Sequence, residues 1–242
     1  MSDDAAIPAA TLILVRERPF GPPELLMVER AAGMAFASGA MVFPGGRIDE
    51  ADRALGDEAA AKIAAIRETL EEVAIPAAID PLPSQEQSLE LQRQLIADRP
   101  LTEMIAPETL RLDTLTPLAR WVPKFHAKRR FDTLFFVARA PEGDWAPNTI
   151  PGECAGAEWV TALEVLKRDR AGQAQLIFPT RRTLERLAQH DSFYAMVEDA
   201  LSHSLEPVTP WVEERDGEQF ITIPEGIGYP VTQEKLEGLW RG

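Results

Sequence analysis

Residues 58–74 constrain this chain more than any other stretch. Placed on a helix at about 100° per residue, Ile63, Ile66, Leu70 and Val73 fall on one stripe, spaced three and four apart. Glu68, Glu71 and Glu72 fall on the opposite side. One face therefore packs into a core, and the other gathers three acids within one turn. Upstream lies Phe43-Pro44-Gly45-Gly46, which reads as a tight glycine turn feeding the helix. Carboxylates so close repel one another, and a bare helix gains nothing from them. Mg²⁺ or Mn²⁺ does gain, because these ions take hard oxygen ligands and bridge carboxylates to phosphate oxygens. Arg67 adjoins the cluster and is placed to pair with one glutamate and fix its rotamer. The competing reading is a solvated charged face. The Gly-Gly segment and the Arg67-Glu68 start weigh against it.

At these residues the chain resembles a known family. Arg67-Glu68-Thr69-Leu70-Glu71-Glu72 after Phe43-Pro44-Gly45-Gly46 is similar to the Nudix box. That box is the signature of Mg²⁺-dependent hydrolases that cleave diphosphates linked to another moiety. Its pattern is Gly-x5-Glu-x7-Arg-Glu-U-x-Glu-Glu-x-Gly-U, with U apolar. This chain departs from it in three ways. Thr69 fills the first U position, Ala74 replaces the last Gly, and the interval from Gly46 to Arg67 is longer by about seven residues. We place the extra residues within 47–58, with Glu58 as the nearest stand-in for the family's first glutamate. The resemblance implies an α/β (α+β) fold, a Nudix-type α/β/α sandwich with a mixed sheet. It also implies Mg²⁺ or Mn²⁺ held by Glu68, Glu71 and Glu72, with Glu71 and Arg67 in the catalytic machinery and Gly45 and Gly46 beside the substrate.

Size and charge narrow the partners. The chain has 242 residues and reads as a single domain, with a helical insertion at about 84–116 and a C-terminal extension at about 206–242. Its net charge of −14 argues against a protein that coats nucleic acid, which needs a basic footprint. A small anionic diphosphate is still admissible, because a bound cation inverts the local field. The one cysteine, Cys154, excludes an internal disulfide and points to a reducing, cytoplasmic setting. Residues 1–8 do not read as a signal peptide, and no run approaches the ~20 apolar residues of a membrane span.

In chain order, residues 9–16 and 24–30 read as a strand hairpin across a Pro-rich turn, and 41–43 lead into the Gly-Gly segment. Residues 85–97 have helical spacing, with Leu89, Leu91, Leu95 and Ile96 as the apolar positions. That helix is expected to pack on the sheet and build a homodimer contact, with capping of the site as the alternative. Residues 118–122 and 131–138 read as strands. Thr161 opens a helix with Glu164 as its capping-box partner. Residues 179–189 and 193–205 read as helices, and Asp216-Gly217 turns a C-terminal hairpin.

Two further segments bear on the substrate. Some coenzyme A-cleaving Nudix enzymes carry a motif before the box, and Arg30, Ala31, Gly39 and Phe43 keep its spacing here, with Ala35 where that motif has a second arginine. The run Arg129-Arg130-Phe131-Asp132-Thr133, downstream of Trp121, is similar to the long-box branch that includes the peroxisomal coenzyme A diphosphatases. Lys124, Lys128, Arg129 and Arg130 form a basic segment suited to phosphates; a solvated loop is the alternative. Arg30, Arg129 and Arg130 are thus the candidate substrate clamp. His126 has no partner that marks it as a base. In several Nudix enzymes a glutamate just before a Glu-Trp strand approaches the metals or acts as base. Glu153, five positions before Glu158-Trp159, matches it best, ahead of Asp144 and Glu158. Cys154 reads as a small structural hydrophobe.

Overall fold

A computed structural model of the chain describes residues 6–32, 37–123, 130–152 and 154–236. The two apolar runs at the start form β1 (Ile7–Arg16) and β2 (Glu24–Arg30). They pair as a hairpin only at Val15 with Leu25 and Arg16 with Glu24. Beyond those pairs they diverge, and residues 41–47 fill the gap. β3 (Met41–Val42) pairs with β2, and β4 (Gly45–Arg47) pairs with β1.

Gly45 and Gly46 are therefore strand residues, which corrects the expected glycine turn. Neither has a positive φ. What requires glycine is proximity. A Cβ on Gly45 would lie 2.5 Å from the Ala10 carbonyl oxygen and 2.8 Å from Thr11 Cα.

A 3₁₀ helix (Glu50–Leu55) leads into α1 (Asp57–Val73). Then follow α2 (Gln85–Ile96), α3 (Leu101–Met104), β5 (Thr116–Trp121), β6 (Phe131–Arg139), β7 (Cys154–Thr161), α4 (Ala162–Arg170), α5 (Phe178–Leu187) and α6 (Phe193–Ser202). The C-terminal part forms β8 (Trp211–Arg215), β9 (Glu218–Thr222) and β10 (Gln233–Lys235).

The main sheet runs β3-β2-β1-β6-β5, with β4 also on β1 and β7 also on β2. β1 and β6 are parallel, from Ile7 opposite Phe131 to Val15 opposite Arg139, while the other pairs are antiparallel. Both faces of the sheet are buried, so β1 and β2 read as continuous apolar runs. Ile13, Val15, Leu25 and Met27 face a core shared with α4, α5 and α6. Leu12, Leu14, Leu26 and Val28 face a core shared with α1 and the segment after it. This is the expected α/β/α sandwich with a mixed sheet.

The insertion packs differently from its expected stripe. Of Leu89, Leu91, Leu95 and Ile96, only Leu95 is buried, and Leu89 and Ile96 are 39% and 46% exposed. The inward stripe of α2 is Ser88, Gln92 and Leu95, laid against α1. Ser84 caps the helix, its hydroxyl accepting from the Gln87 amide at 3.2 Å while the Gln87 side chain accepts from the Ser84 amide at 2.8 Å. At α4 only half of the expected capping box forms. Thr161 Oγ1 accepts from the Glu164 amide at 3.3 Å, but the Glu164 carboxylate accepts from Arg168 at 2.8 Å.

The C-terminal hairpin turns at Asp216 (φ 53°) and Gly217 (φ 78°), as expected, and gains β10 as a third strand. Ile221, Ile223 and Tyr229 join the core on the α4–α6 side, where Trp121 Nε1 donates to Tyr229 Oη at 2.9 Å. Among the described residues, no helix is long and apolar enough to cross a membrane.

Candidate active site

α1 delivers the acidic cluster. Ile63, Ile66, Leu70 and Val73 are fully buried on the sheet side, as the periodicity requires. The acidic face is not a solvated one. Glu72 is 8% exposed, and the side chains of Glu68 and Glu71 are 16% and 24% exposed. Thr69, in the apolar position of the box, is buried with its hydroxyl donating to the Ala65 carbonyl at 2.8 Å.

Arg67 is the centre of this arrangement. Its Nε and Nη2 donate to the two oxygens of Asp52 at 3.0 and 3.1 Å, and Nη2 also donates to the Arg47 carbonyl at 2.9 Å. The same guanidinium meets Glu68 Oε1 at 3.0 Å and Glu71 Oε2 at 3.2 Å. Burial alone would lower the Arg67 pKa. The hydrogen bond to Asp52 and the charges of Glu68, Asp52 and Asp49 outweigh it and raise the pKa above its ordinary value. For Glu68 burial wins. Desolvation pushes its carboxyl up to about 7, Arg67 opposes the rise, and Glu71 adds to it.

Gly46 sets the position of Glu68. A Cβ on Gly46 would collide with Glu68 Oε1, so the carboxylate rests on backbone that only glycine leaves open. The turn of α1 is thereby pressed against β4.

Asp52 is the residue missed in the sequence. It is 2% exposed, and its Oδ2 also accepts from the Asp49 amide at 2.9 Å. It stands six positions after Gly46, at the Gly-x5-Glu spacing of the box with Asp in place of Glu. That spacing was the available signal. The extra residues therefore follow Asp52 and lie between it and Arg67, so the expected span of 47–58 begins too early. Glu58 is exposed in the first turn of α1. Ten residues before Glu68, it sits roughly 15 Å away along the axis and is not part of the cluster.

The topology brings other expected residues to the same end of the sheet. Arg30 ends β2 opposite Cys154, the buried first residue of β7. Arg130 precedes β6, its carbonyl accepting from the Ile7 amide at 2.8 Å at the start of β1. β4 pairs with that same start, Arg47 opposite Ala9. Glu158 is a surface partner of Arg168 at 2.5 Å, and the Asp144 side chain is fully exposed. Glu153, Arg129, Lys124, Lys128, His126 and Ala35 lie outside the described residues.

Among the described residues, no three His, Cys, Asp or Glu side chains already form a cation cage. Arg67 holds Glu68 and Glu71 by ion pairs instead. The donor set is nonetheless suited to a hard divalent cation. It offers carboxylate oxygens at positions 68, 71 and 72, one of them seated in the Gly46 cradle.

A mixed-sheet sandwich with an arginine-pinned glutamate turn is the arrangement to compare with known proteins, and residues 6–99 match the NUDIX domain family. Among individual relatives, the Caenorhabditis elegans protein named "Putative nudix hydrolase 7" is 27% identical over 168 residues, covering 68% of this chain and 56% of its own length. The Cronobacter sakazakii (strain ATCC BAA-894) protein named "Uncharacterized Nudix hydrolase NudL" is 44% identical over 68 residues, 28% of this chain and 31% of its own. The chain thus spans about half the length of the first relative and less of the second. The crystal structure of a NUDIX hydrolase from Alicyclobacillus acidocaldarius superposes with a TM-score of 0.69 at 26% identity, over 81% of this chain and 97% of that one.

Proposed function

We propose that this chain is a metal-dependent hydrolase of a nucleoside diphosphate linked to another moiety, with coenzyme A or an acyl-coenzyme A as substrate. One observation carries the hydrolase reading: buried Arg67, clamped by Asp52, holds Glu68 and Glu71 in one turn against Gly46. A helix stabilised only by its packing has no use for that arrangement. Glu68, Glu71 and Glu72 would hold Mg²⁺ or Mn²⁺. Such an ion, when bound, neutralises phosphate charge and acidifies water. Glu153 or one of the box glutamates takes the proton of the attacking water. Arg30, Arg129 and Arg130 receive the phosphate oxygens, and Gly45 and Gly46 offer backbone free of side chains beside Glu68. Water attacks one phosphorus, and two monophosphates leave.

Coenzyme A rests on the spacing of Arg30, Ala31, Gly39 and Phe43 and on the Arg129–Thr133 run. Ala35, in place of a second arginine, favours a different diphosphate such as ADP-ribose, NADH or a dinucleoside polyphosphate. A panel of these compounds with Mg²⁺ or Mn²⁺, resolved by chromatography, separates the two. Adenosine 3′,5′-bisphosphate from coenzyme A supports the first. AMP from ADP-ribose or NADH alone moves the substrate to the second. No metal-dependent cleavage of any compound overturns the hydrolase reading and puts a catalytically silent nucleotide-binding regulatory module ahead. Glu71→Gln or Glu72→Gln is expected to remove most turnover, by about 10²-fold or more, with the fold intact by circular dichroism. Wild-type rates in both would sink the mechanism.

A further inference from the structure

We infer that Gln92 and Asn148 are positioning residues, through which the helical insertion holds the glutamate turn of α1 in its metal-binding arrangement. The inference rests on the functional reading above. Its origin is the end of α1. A helix leaves its last carbonyls without intrahelical partners, and in α1 these carbonyls belong to the turn that carries Glu71 and Glu72. Ala74, in the left-handed region at φ 56°, returns its amide to the Leu70 carbonyl at 2.9 Å. The next partners come from elsewhere in the chain. Gln92 Nε2 donates to the Glu71 carbonyl at 2.9 Å, and the Asn148 amide donates to the Val73 carbonyl at 2.9 Å.

The two side chains also lock to each other. Gln92 Nε2 donates to the Asn148 carbonyl at 2.7 Å, and Asn148 Nδ2 donates to Gln92 Oε1 at 2.7 Å. Gln92 is 2% exposed, so its side-chain amide sits away from water, where an unmade bond is costly. Three segments meet here: the end of α1, the insertion helix α2, and the connection from β6 to β7. That connection reaches Glu153 five residues after Asn148. One amide pair therefore fixes the main chain beneath Glu71. It also explains why α2 turns a polar stripe inward and leaves Leu89 and Ile96 outside. A purely structural role would affect stability alone, whereas a positioning role also sets how well the glutamates meet a cation.

The test uses the full chain with Gln92→Leu and Asn148→Ser, and Leu89→Ala as a control on the exposed side of α2. Mn²⁺ binding is read by isothermal titration, and amide exchange of residues 70–74 by mass spectrometry. Turnover is read at limiting and saturating Mn²⁺. We expect the Mn²⁺ dissociation constant of Gln92→Leu to rise on the order of 10-fold or more. Exchange should quicken in residues 70–74, saturating Mn²⁺ should restore much of the rate, and Leu89→Ala should match wild type. If Gln92→Leu does not fold, Asn148→Ser decides by the same readouts. Folded variants with wild-type Mn²⁺ affinity overturn the inference and leave the hydrolase reading standing. A wild-type chain that binds no Mn²⁺ overturns both.

Discussion

Gly45 and Gly46 are adjacent, both extended, and required for different reasons. The Cβ missing from Gly45 would strike backbone, at the Ala10 carbonyl and Thr11 Cα. Backbone in a paired strand cannot retreat without breaking its ladder. Gly45→Ala is therefore expected to cost about 1–3 kcal/mol or more, read as a lower urea midpoint. The Cβ missing from Gly46 would first strike the Glu68 carboxylate, the far end of a flexible side chain. Gly46→Ala is expected to cost about 1 kcal/mol or less yet weaken Mn²⁺ binding and turnover at least about 10-fold. Equal stability losses in the two variants would contradict this division. Glu68 also gives the metal-free protein a pH dependence. Its folded-state pKa of about 7 exceeds the ordinary 4.5, so between those values the folded chain holds a proton that the unfolded chain releases. The associated stability is complete below about 4.5 and is lost as pH rises through about 7. Urea midpoints measured across that window should fall with rising pH. Glu68→Gln should remove this component, and saturating Mn²⁺ should offset it, because a cation replaces the proton.

At the scale of elements, α1 is fixed at both ends of its functional half. Asp52 holds Arg67 from the 3₁₀ helix before it, and Ala74 closes its last turn. Asp52→Ala leaves a buried guanidinium without its bidentate partner. A loss of about 3–5 kcal/mol is expected, together with a large drop in turnover. Ala74 adopts a left-handed conformation that costs an L-residue about 1–2 kcal/mol, while glycine adds about 0.4–1 kcal/mol of chain entropy to the unfolded state. Ala74→Gly is thus expected to stabilise by about 0.5–1 kcal/mol, seen as a raised thermal midpoint. The family's glycine at this position follows from the backbone.

Elements whose period is set by burial were legible in the sequence. β2 has its expected limits because an apolar run ends at charged residues on each side, and the α1 stripe is buried as its spacing requires. Interactions set by proximity were not legible. A glycine pair reads as a turn from local statistics, and nothing local announces that another strand lies 2.5 Å from its missing Cβ. In the same way Gln92, between Leu91 and Arg93, gives no sign that it reaches the Glu71 carbonyl across 21 residues. Of the site, the glutamates and Arg67 were legible from the motif. Asp52 was obscured because the lengthened interval moved attention to the wrong side of it.

Over the whole molecule, the C-terminal strands are fastened into the sandwich by buried charge and apolar packing. Arg182, 3% exposed, reaches Glu185 and Glu234 at 2.9 Å each, and Arg181 pairs with Asp169 and Glu234. Ending the chain at residue 205 would remove Ile221, Ile223 and Tyr229 from the core and leave Arg182 without Glu234. At about 1.5–3 kcal/mol for each buried apolar side chain, the thermal midpoint should fall by about 10–20 °C, followed by circular dichroism. An unchanged midpoint would show the extension to be an appendage. The parallel pairing of β1 with β6 has a consequence for biosynthesis. Val15 lies opposite Arg139, so the central strand waits for 124 further residues to be translated before its long edge is covered. At about 5–20 residues per second that is on the order of ten seconds, during which β1 has the hairpin, β4 and α1 to pack against but not its parallel neighbour. Pairing that spans so much of the chain must close a long loop before it gains any contact, which places refolding among the slower α/β domains.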